Sequence, residues 1–369
     1  MLPTKTIWVM ETGIDSRVES GQRLPAPVIG RLYQRFLAVP RLPSAFRYMQ
    51  GEYATVLMLH RFRDRERGAT GVEAMQLRRS LEYLRRNGYE LVSLVELFRR
   101  LAGRGPRLRG AVAFTIDDGY RDQAEIAAPI FSEFDCPVTT FVTTGFLDQT
   151  LWFWWDKIEY VVSNTRRKSL AVQFGNTLFQ YDLAGASEPS AIIGELVQHC
   201  KALAVEEKHV AITRLAQEAE VDLPVTPPAS FAPMTWDEVR ACEARGMSFG
   251  PHTVSHPILS RAQAERARLE ITESWRRLRA EARDPVPVFC YPNGGNADFG
   301  VREIEIAREL GFLGALTAED GFADPVSFRG SKDAPFRIKR MPFPEELPIL
   351  AQYVGGIERL KRIVQRRAI

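Results

Sequence analysis

The chain reads as an α/β protein built on a parallel sheet or barrel, interrupted by one inserted segment. Two observations predict this. Short apolar runs at 55–59, 111–116, 138–143, 247–250 and 286–291 alternate with stretches of helical period. That rhythm breaks down between about 146 and 233 and then resumes, as an insertion would make it do.

Taken in order, residues 1–50 are rich in Pro and Arg and form an N-terminal extension, with Ile29, Leu32, Tyr33, Phe36 and Leu37 on one helical stripe. The run 55–60, Thr-Val-Leu-Met-Leu-His, predicts a buried strand ending on His60. A helix follows over 71–87, with Met75, Leu77, Leu81 and Leu84 in phase and Gly88 as its stop. Residues 89–93 predict a short strand. The clearest strand is 111–116, with five apolar residues of six, running straight into Asp117, Asp118 and Gly119. A helix over 123–134 and a strand over 138–143 come next. The inserted segment carries an aromatic cluster (Trp152, Phe153, Trp154, Trp155, Tyr160), a hairpin about Gly175-Asn176, a charged helix over 205–220 and a Pro-rich link at 223–228. Afterwards the pattern predicts a helix over 235–245, a strand over 247–250 leading to His252, a long helix over 262–282, a strand over 286–291, a helix over 303–310 and a strand over 312–317. Residues 346–369 end in a basic helix in which Arg359, Lys361, Arg362, Arg366 and Arg367 interleave with Ile357, Leu360, Ile363 and Val364. A solvated helix and a membrane-surface helix both satisfy that pattern.

A hydrophobic fraction of 45% with 26% charged residues is ordinary globular composition. The net charge of +3, from 49 basic and 46 acidic residues, offers no ground for nucleic acid or another polyanion as partner. Four cysteines without a Cys-x-x-Cys pair argue against both a disulfide framework and a thiolate zinc site. The first residues turn acidic too soon for a secretory signal, and no later run has transmembrane length. The expectation is a cytoplasmic protein, with peripheral membrane contact open.

Five histidines are available. His252 and His256 stand four residues apart, a spacing at which two imidazoles can converge on one divalent ion; hydrogen-bonded or surface histidines are the plainer alternative. Asp117 and Asp118 are adjacent carboxylates, so one can hold a cation while the other accepts a proton. Alone, Asp-Asp-Gly is equally a solvated turn. Both pairs, however, follow strand ends of one αβ series, and strand C-terminal ends gather on one face of a parallel barrel, where active sites are built. Two nitrogens and one carboxylate oxygen leave a position open for water and substrate, the pattern of a catalytic ion, and the unligated Asp117 is then the candidate base. His60 ends another apolar strand and titrates in the range that protonating a departing amine requires; a hydrogen-bonded barrel histidine is the alternative. His199 and His209, in the insertion, are structural or exposed. Residues 289–295, Phe-Cys-Tyr-Pro-Asn-Gly-Gly, close a further strand with a turn whose N–H groups can face an oxyanion.

Together, residues 114–119 (Phe-Thr-Ile-Asp-Asp-Gly), 252–256 (His-Thr-Val-Ser-His) and 289–294 (Phe-Cys-Tyr-Pro-Asn-Gly) resemble, in order, the successive motifs of the polysaccharide deacetylases, carbohydrate esterases with the NodB-homology fold. The resemblance covers roughly 51–145 and 234–345. It implies a distorted (β/α) barrel of about seven strands with an inserted α+β segment, and one divalent metal ion, usually zinc. Position by position, Asp117 matches the catalytic base, Asp118 the metal carboxylate, and His252 and His256 the metal histidines. Asn293 stands where the family has a tyrosine whose backbone amide contributes to the oxyanion hole, with Tyr291 and Pro292 beside it as candidate substrate contacts. Two departures matter. The arginine expected just upstream in the third motif is absent before Phe289, and Arg340, in Arg-Ile-Lys-Arg at 337–340, is its candidate substitute. The C-terminal Leu-x-His motif that supplies the acid is also absent, but Met-Leu-His at 58–60 resembles it, as in circularly permuted members, which makes His60 the candidate acid.

The resemblance implies a metal-dependent N-deacetylase acting on an N-acetylated amino-sugar glycan: a polysaccharide, an oligosaccharide or a lipid-linked precursor. Trp152 and Trp154 can stack on pyranose C–H faces at a barrel rim, or simply anchor the insertion. A carbohydrate-binding barrel without turnover, and an amidohydrolase of a small non-sugar amide, are the alternatives. The expected division is an extension at 1–50, a barrel over 51–345 with its insertion at about 146–233, and a basic helix over 346–369.

Overall fold

The computed structural model describes residues 51–174, 177–183, 188–203 and 205–367. The extension at 1–50 and the Gly175-Asn176 turn lie outside the described residues. The strands are β1 (Tyr53–Leu59), β2 (Arg109–Asp118), β3 (Val138–Val142), β4 (Ser169–Phe174), β5 (Thr177–Asp182), β6 (Met247–Pro251), β7 (Val288–Cys290), β8 (Gly314–Asp320) and β9 (Ile338–Pro342).

Seven of them form one sheet in the order β6-β3-β2-β1-β9-β8-β7, every neighbouring pair parallel. At the sheet's two ends, the Val286 N–H donates to the Phe249 carbonyl at 2.7 Å, so the sheet is a nearly closed barrel. β1 lies between β2 and β9 and is buried along its whole length. That burial is why it reads as a continuous apolar run: a central parallel strand is covered on both faces.

The period of two along each strand divides the core. In β2, Val112, Phe114 and Ile116 belong to a cluster with Leu77, Leu81 and Leu84 of the helix Ala74–Arg86 and with Phe131. Ala111 and Ala113 belong to another, with Ala54, Val56, Phe141, Val288 and Leu316. Residue 117 continues the face of the second set.

The expected strand over 89–93 is a single bridge, Leu91 to Val112. The chain is claimed instead by the helix Leu94–Leu101, whose start Ser93 caps by accepting the Glu96 N–H, and whose Leu97, Phe98 and Leu101 enter the second cluster. The expected helix over 123–134 opens with a π-helical turn, Gln123–Ala127, before Ala128–Glu133. β9 was not anticipated, and the span 346–369, expected as one basic helix, holds two, the first being Leu347–Val354. Leu350, Ala351 and Val354 of that helix join the first cluster, so the boundary expected at 346 cuts through the barrel's core; the basic helix is Ile357–Arg367, after Gly355 and Gly356. Among the described residues no helix is long and apolar enough to cross a membrane.

Residues 152–228 make a separate compact unit. Its antiparallel hairpin β4-β5 packs with the helices Trp154–Asn164, Pro189–Ala202 and Val205–Glu218 about Ile158, Val161, Leu170, Leu196 and Leu215. The helix Pro189–Ala202 was not foreseen.

Candidate metal and catalytic site

Adjacent residues on a strand face opposite ways, yet both Asp117 and Asp118 serve one site. The reason is local backbone: Asp118, the last residue of β2, has φ +86, which turns the chain where a regular strand would not. Two further residues of the site, Thr253 (φ +67) and His256 (φ +57), hold the same uncommon conformation in the loop after β6.

That loop brings both imidazoles to Asp118. Asp118 Oδ1 lies 3.8 Å from His252 Nε2 and 3.5 Å from His256 Nε2. Ligand bonds of about 2.0–2.2 Å in a tetrahedral shell separate ligand atoms by roughly 3.3–3.6 Å, so the three groups fit a single divalent ion. The orientation of His252 is fixed from behind by its Nδ1, 2.8 Å from the Cys290 carbonyl, leaving Nε2 to face the site. Burial pushes the His252 imidazole down to about 4, and burial together with His252 drives His256 well below its ordinary value, so both are neutral donors. Asp118 moves the other way: burial first, then the charge of Asp117, push its carboxyl up to about 8.

Asp117 is held by a different set of groups. Its two oxygens accept from Arg340 Nη1 (2.8 Å) and Nη2 (2.7 Å), a bidentate pair with both side chains buried. Arg340 is fixed in turn by Nε to the Thr317 carbonyl at 2.8 Å and Nη1 to Thr115 Oγ1 at 3.2 Å. Burial alone would raise Asp117; Arg340 outweighs it, helped by His252 and His60, and keeps the carboxyl below the usual carboxylate range. His60 Nε2 stands 3.8 Å from Asp117 Oδ2, its side chain 45% exposed. Arg340 is thus the buried cation that pairs with Asp117.

Three participants were not among the expected site residues. Gln123 Nε2 donates to the His60 carbonyl (2.6 Å) and the Asp117 carbonyl (2.5 Å), tying the ends of β1 and β2 together. Asp122 receives Arg61 Nε at 2.7 Å and the Phe62 N–H at 2.9 Å, which secures the chain just after His60. The buried Cys290 thiol lies 3.7 and 3.8 Å from the Asp117 oxygens. The short distance of 122 and 123 from Asp118 hinted at two of them, and Cys290 stands inside the third motif.

In the third motif Asn293 has φ +58, at the turn after β7. The expectation for the Tyr291 ring is corrected. It is 1% exposed and stacks on Phe299 at 3.8 Å, so it fills the barrel wall and is closed to substrate. Pro292 is buried as well. Within the inserted unit, Trp152 is 7% exposed with its edge on Tyr160, and Trp154 packs on that unit's own core beneath the Lys208 ammonium, 4.4 Å from its ring.

The family model for polysaccharide deacetylase matches residues 104–314, more than half the chain, and so includes both acidic residues, both metal-site histidines and the third motif. The chain belongs to the polysaccharide deacetylase family. It is accordingly a carbohydrate esterase that hydrolyses N-acetyl groups, which removes the reading of a barrel without turnover. His60 and Arg340 both fall outside the matched span. Among solved structures, the Streptococcus pyogenes deacetylase PplD in complex with acetate is similar at 17% identity, covering 83% of this chain and 99% of that one, with a TM-score of 0.52. IcaB from Ammonifex degensii is similar at 17% identity, covering 83% and 98%, with a TM-score of 0.51. At such identities these two speak for the barrel fold. No curated protein matches the chain.

Proposed function

We propose that this deacetylase is metal-dependent and removes the acetyl group from acetamido sugars of a glycan, as polymer, oligosaccharide or lipid-linked precursor. The observation that carries the reading is the pairing of an N₂O ligand set, Asp118, His252 and His256, with an ionised carboxylate, Asp117, locked by Arg340. That donor set suits zinc, with one coordination position left for chemistry. A divalent ion held there would polarise the acetyl carbonyl and make a neighbouring water more acidic.

The remaining steps belong to the protein. Asp117 is buried, ionised and oriented by two hydrogen bonds, so it accepts the proton of the attacking water without reorganising. The backbone N–H of Asn293 steadies the oxyanion that forms as the carbonyl is attacked. His60, 3.8 Å from Asp117 and open to solvent, delivers a proton to the departing amine. The proposal includes a cytoplasmic location with peripheral membrane contact left open; in that compartment a lipid-linked precursor is the glycan within reach.

The test is metal content of the purified protein together with acetate release from N-acetylglucosamine oligomers, for wild type and His252→Ala. One bound divalent ion and metal-dependent acetate, both lost in the variant, are expected. Metal without acetate would redirect the substrate to other N-acyl compounds, and no metal after reconstitution would sink the metal-dependent mechanism.

A further inference from the structure

The loop 252–256 offers its backbone to the rest of the barrel in two unequal ways. On its carbonyl side, Thr144 N–H donates to the Thr253 carbonyl at 3.1 Å, Gly145 N–H to the Val254 carbonyl at 2.9 Å and Thr143 Oγ1 to the His252 carbonyl at 3.3 Å. At Gly145 even a Cβ would meet the Val254 oxygen at 2.6 Å, so that contact depends on glycine. The N–H side has a different anchor. The His252 N–H donates to the Val142 carbonyl and the His256 N–H to Thr253 Oγ1, both at 3.0 Å. Of the N–H groups between them, Val254 at 2.9 Å and Ser255 at 2.8 Å both donate to one oxygen of Glu270. The Ser255 hydroxyl donates to its other oxygen at 2.5 Å, where Arg266 Nη2 also lies at 2.5 Å.

Glu270 sits in the middle of the helix Ala264–Glu281 and is 1% exposed. A buried carboxylate is costly unless its lone pairs are used, and here every contact except that of Arg266 goes to the metal-histidine loop. The loop needs such a hold, because Thr253 and His256 keep a left-handed backbone that persists only where surroundings over-determine it.

We propose that Glu270 is a positioning residue for metal binding: its carboxylate fixes the strained 252–256 loop so that His252 and His256 present Nε2 to Asp118. The proposal rests on the metal-dependent reading above. Glu270→Gln keeps the shape but has a single acceptor oxygen: turned to the Val254 and Ser255 N–H pair, its NH2 faces the Arg266 guanidinium, and turned the other way its NH2 faces the N–H pair, so one half of the hold is lost in either orientation.

Titration of the metal-free protein with zinc, followed calorimetrically, should show affinity weakened about tenfold to a hundredfold in Glu270→Gln. Amide hydrogen exchange should quicken at Val254 and Ser255 while the barrel strands keep their protection. Ser255→Ala, which removes a single hydroxyl contact and leaves the carboxylate, should weaken zinc about threefold and guards against a Glu270→Gln that fails to fold. Wild type that takes up zinc beside a Glu270→Gln of unchanged affinity overturns the positioning role alone, as does a lowered melting temperature with unchanged affinity. Wild type that takes up no zinc overturns the metal-dependent reading and this proposal with it.

Discussion

The two halves of the site are put together differently. The metal half is local: Asp118 ends β2, His252 and His256 share one loop after β6, and all three lie inside the span that matches the family model. The proton-transfer half is assembled from strands that adjoin only in the sheet, with His60 just after β1, Asp117 from β2 and Arg340 from β9. In sequence those residues are scattered over most of the described chain, and two of the three fall outside the matched span. Ligand spacing is therefore written into short motifs, whereas the base, its cation and the acid depend on strand order. A sheet that seats β1 between β2 and β9 can draw its arginine from whichever neighbouring strand reaches Asp117.

The sharpest way to separate the halves is Asp117→Asn. The amide keeps the volume, removes the proton acceptor and leaves the ligand set intact. Acetate release should fall about a hundredfold to ten-thousandfold, the usual contribution of a general base, while zinc affinity stays close to wild type. Steady-state rates beside a zinc titration check this; an active variant would remove Asp117 as base, and loss of zinc would show that the two halves are not separable.

Arg340→Met tests whether the distant cation belongs to the proton-transfer half alone. It strands a buried carboxylate, so folding stability should drop by about 3–5 kcal/mol in denaturant unfolding. In the native barrel Asp117 is held ionised against burial by this arginine. Without it burial wins, the carboxyl is raised, and Asp117 is protonated at pH values where the wild-type base is free. The acidic limb of activity should therefore move to higher pH in the variant. A limb that stays in place would mean that Arg340 serves packing and leaves the base untouched.

The same contrast explains what could be read in advance. β1, β2 and the 252–256 loop were visible because a buried parallel strand is continuously apolar and its end carries the chemical side chain. β9 was not, since Ile338, Lys339, Arg340, Met341 and Pro342 mix charge with apolar residues; the buried charge that hides the strand is the one that orients Asp117. Gln123 and Glu270 escaped for a related reason. Each works through hydrogen bonds to backbone groups, and backbone leaves no mark in the sequence. Tyr291 misled in the opposite sense: an aromatic in a motif can belong to the wall of the site and not to its surface.

The smallest effect, and the one that sharpens the metal half most, is its proton linkage. In the metal-free protein Asp118 is raised to about 8 by burial and by Asp117, while His252 is lowered to about 4. At neutral pH the ligand set therefore carries one proton to be released, on Asp118, and none on the imidazoles. Zinc uptake should release close to one proton per ion, and affinity should rise about tenfold per pH unit up to about pH 8, then level off. The sign for stability follows. A carboxyl raised in the folded state contributes stability that is complete below its ordinary titration and is lost as pH rises through about 8; His252 and His256, neutral in the fold, oppose this below their ordinary titration, so the metal-free protein should melt progressively lower between about pH 7 and 8. Zinc should reverse that trend by making the ionised carboxylate the bound form. Calorimetric titration in two buffers of different ionisation enthalpy counts the protons. A count near zero would mean that Asp118 is already ionised in the metal-free site, and a count near two would mean that a histidine is protonated beside it.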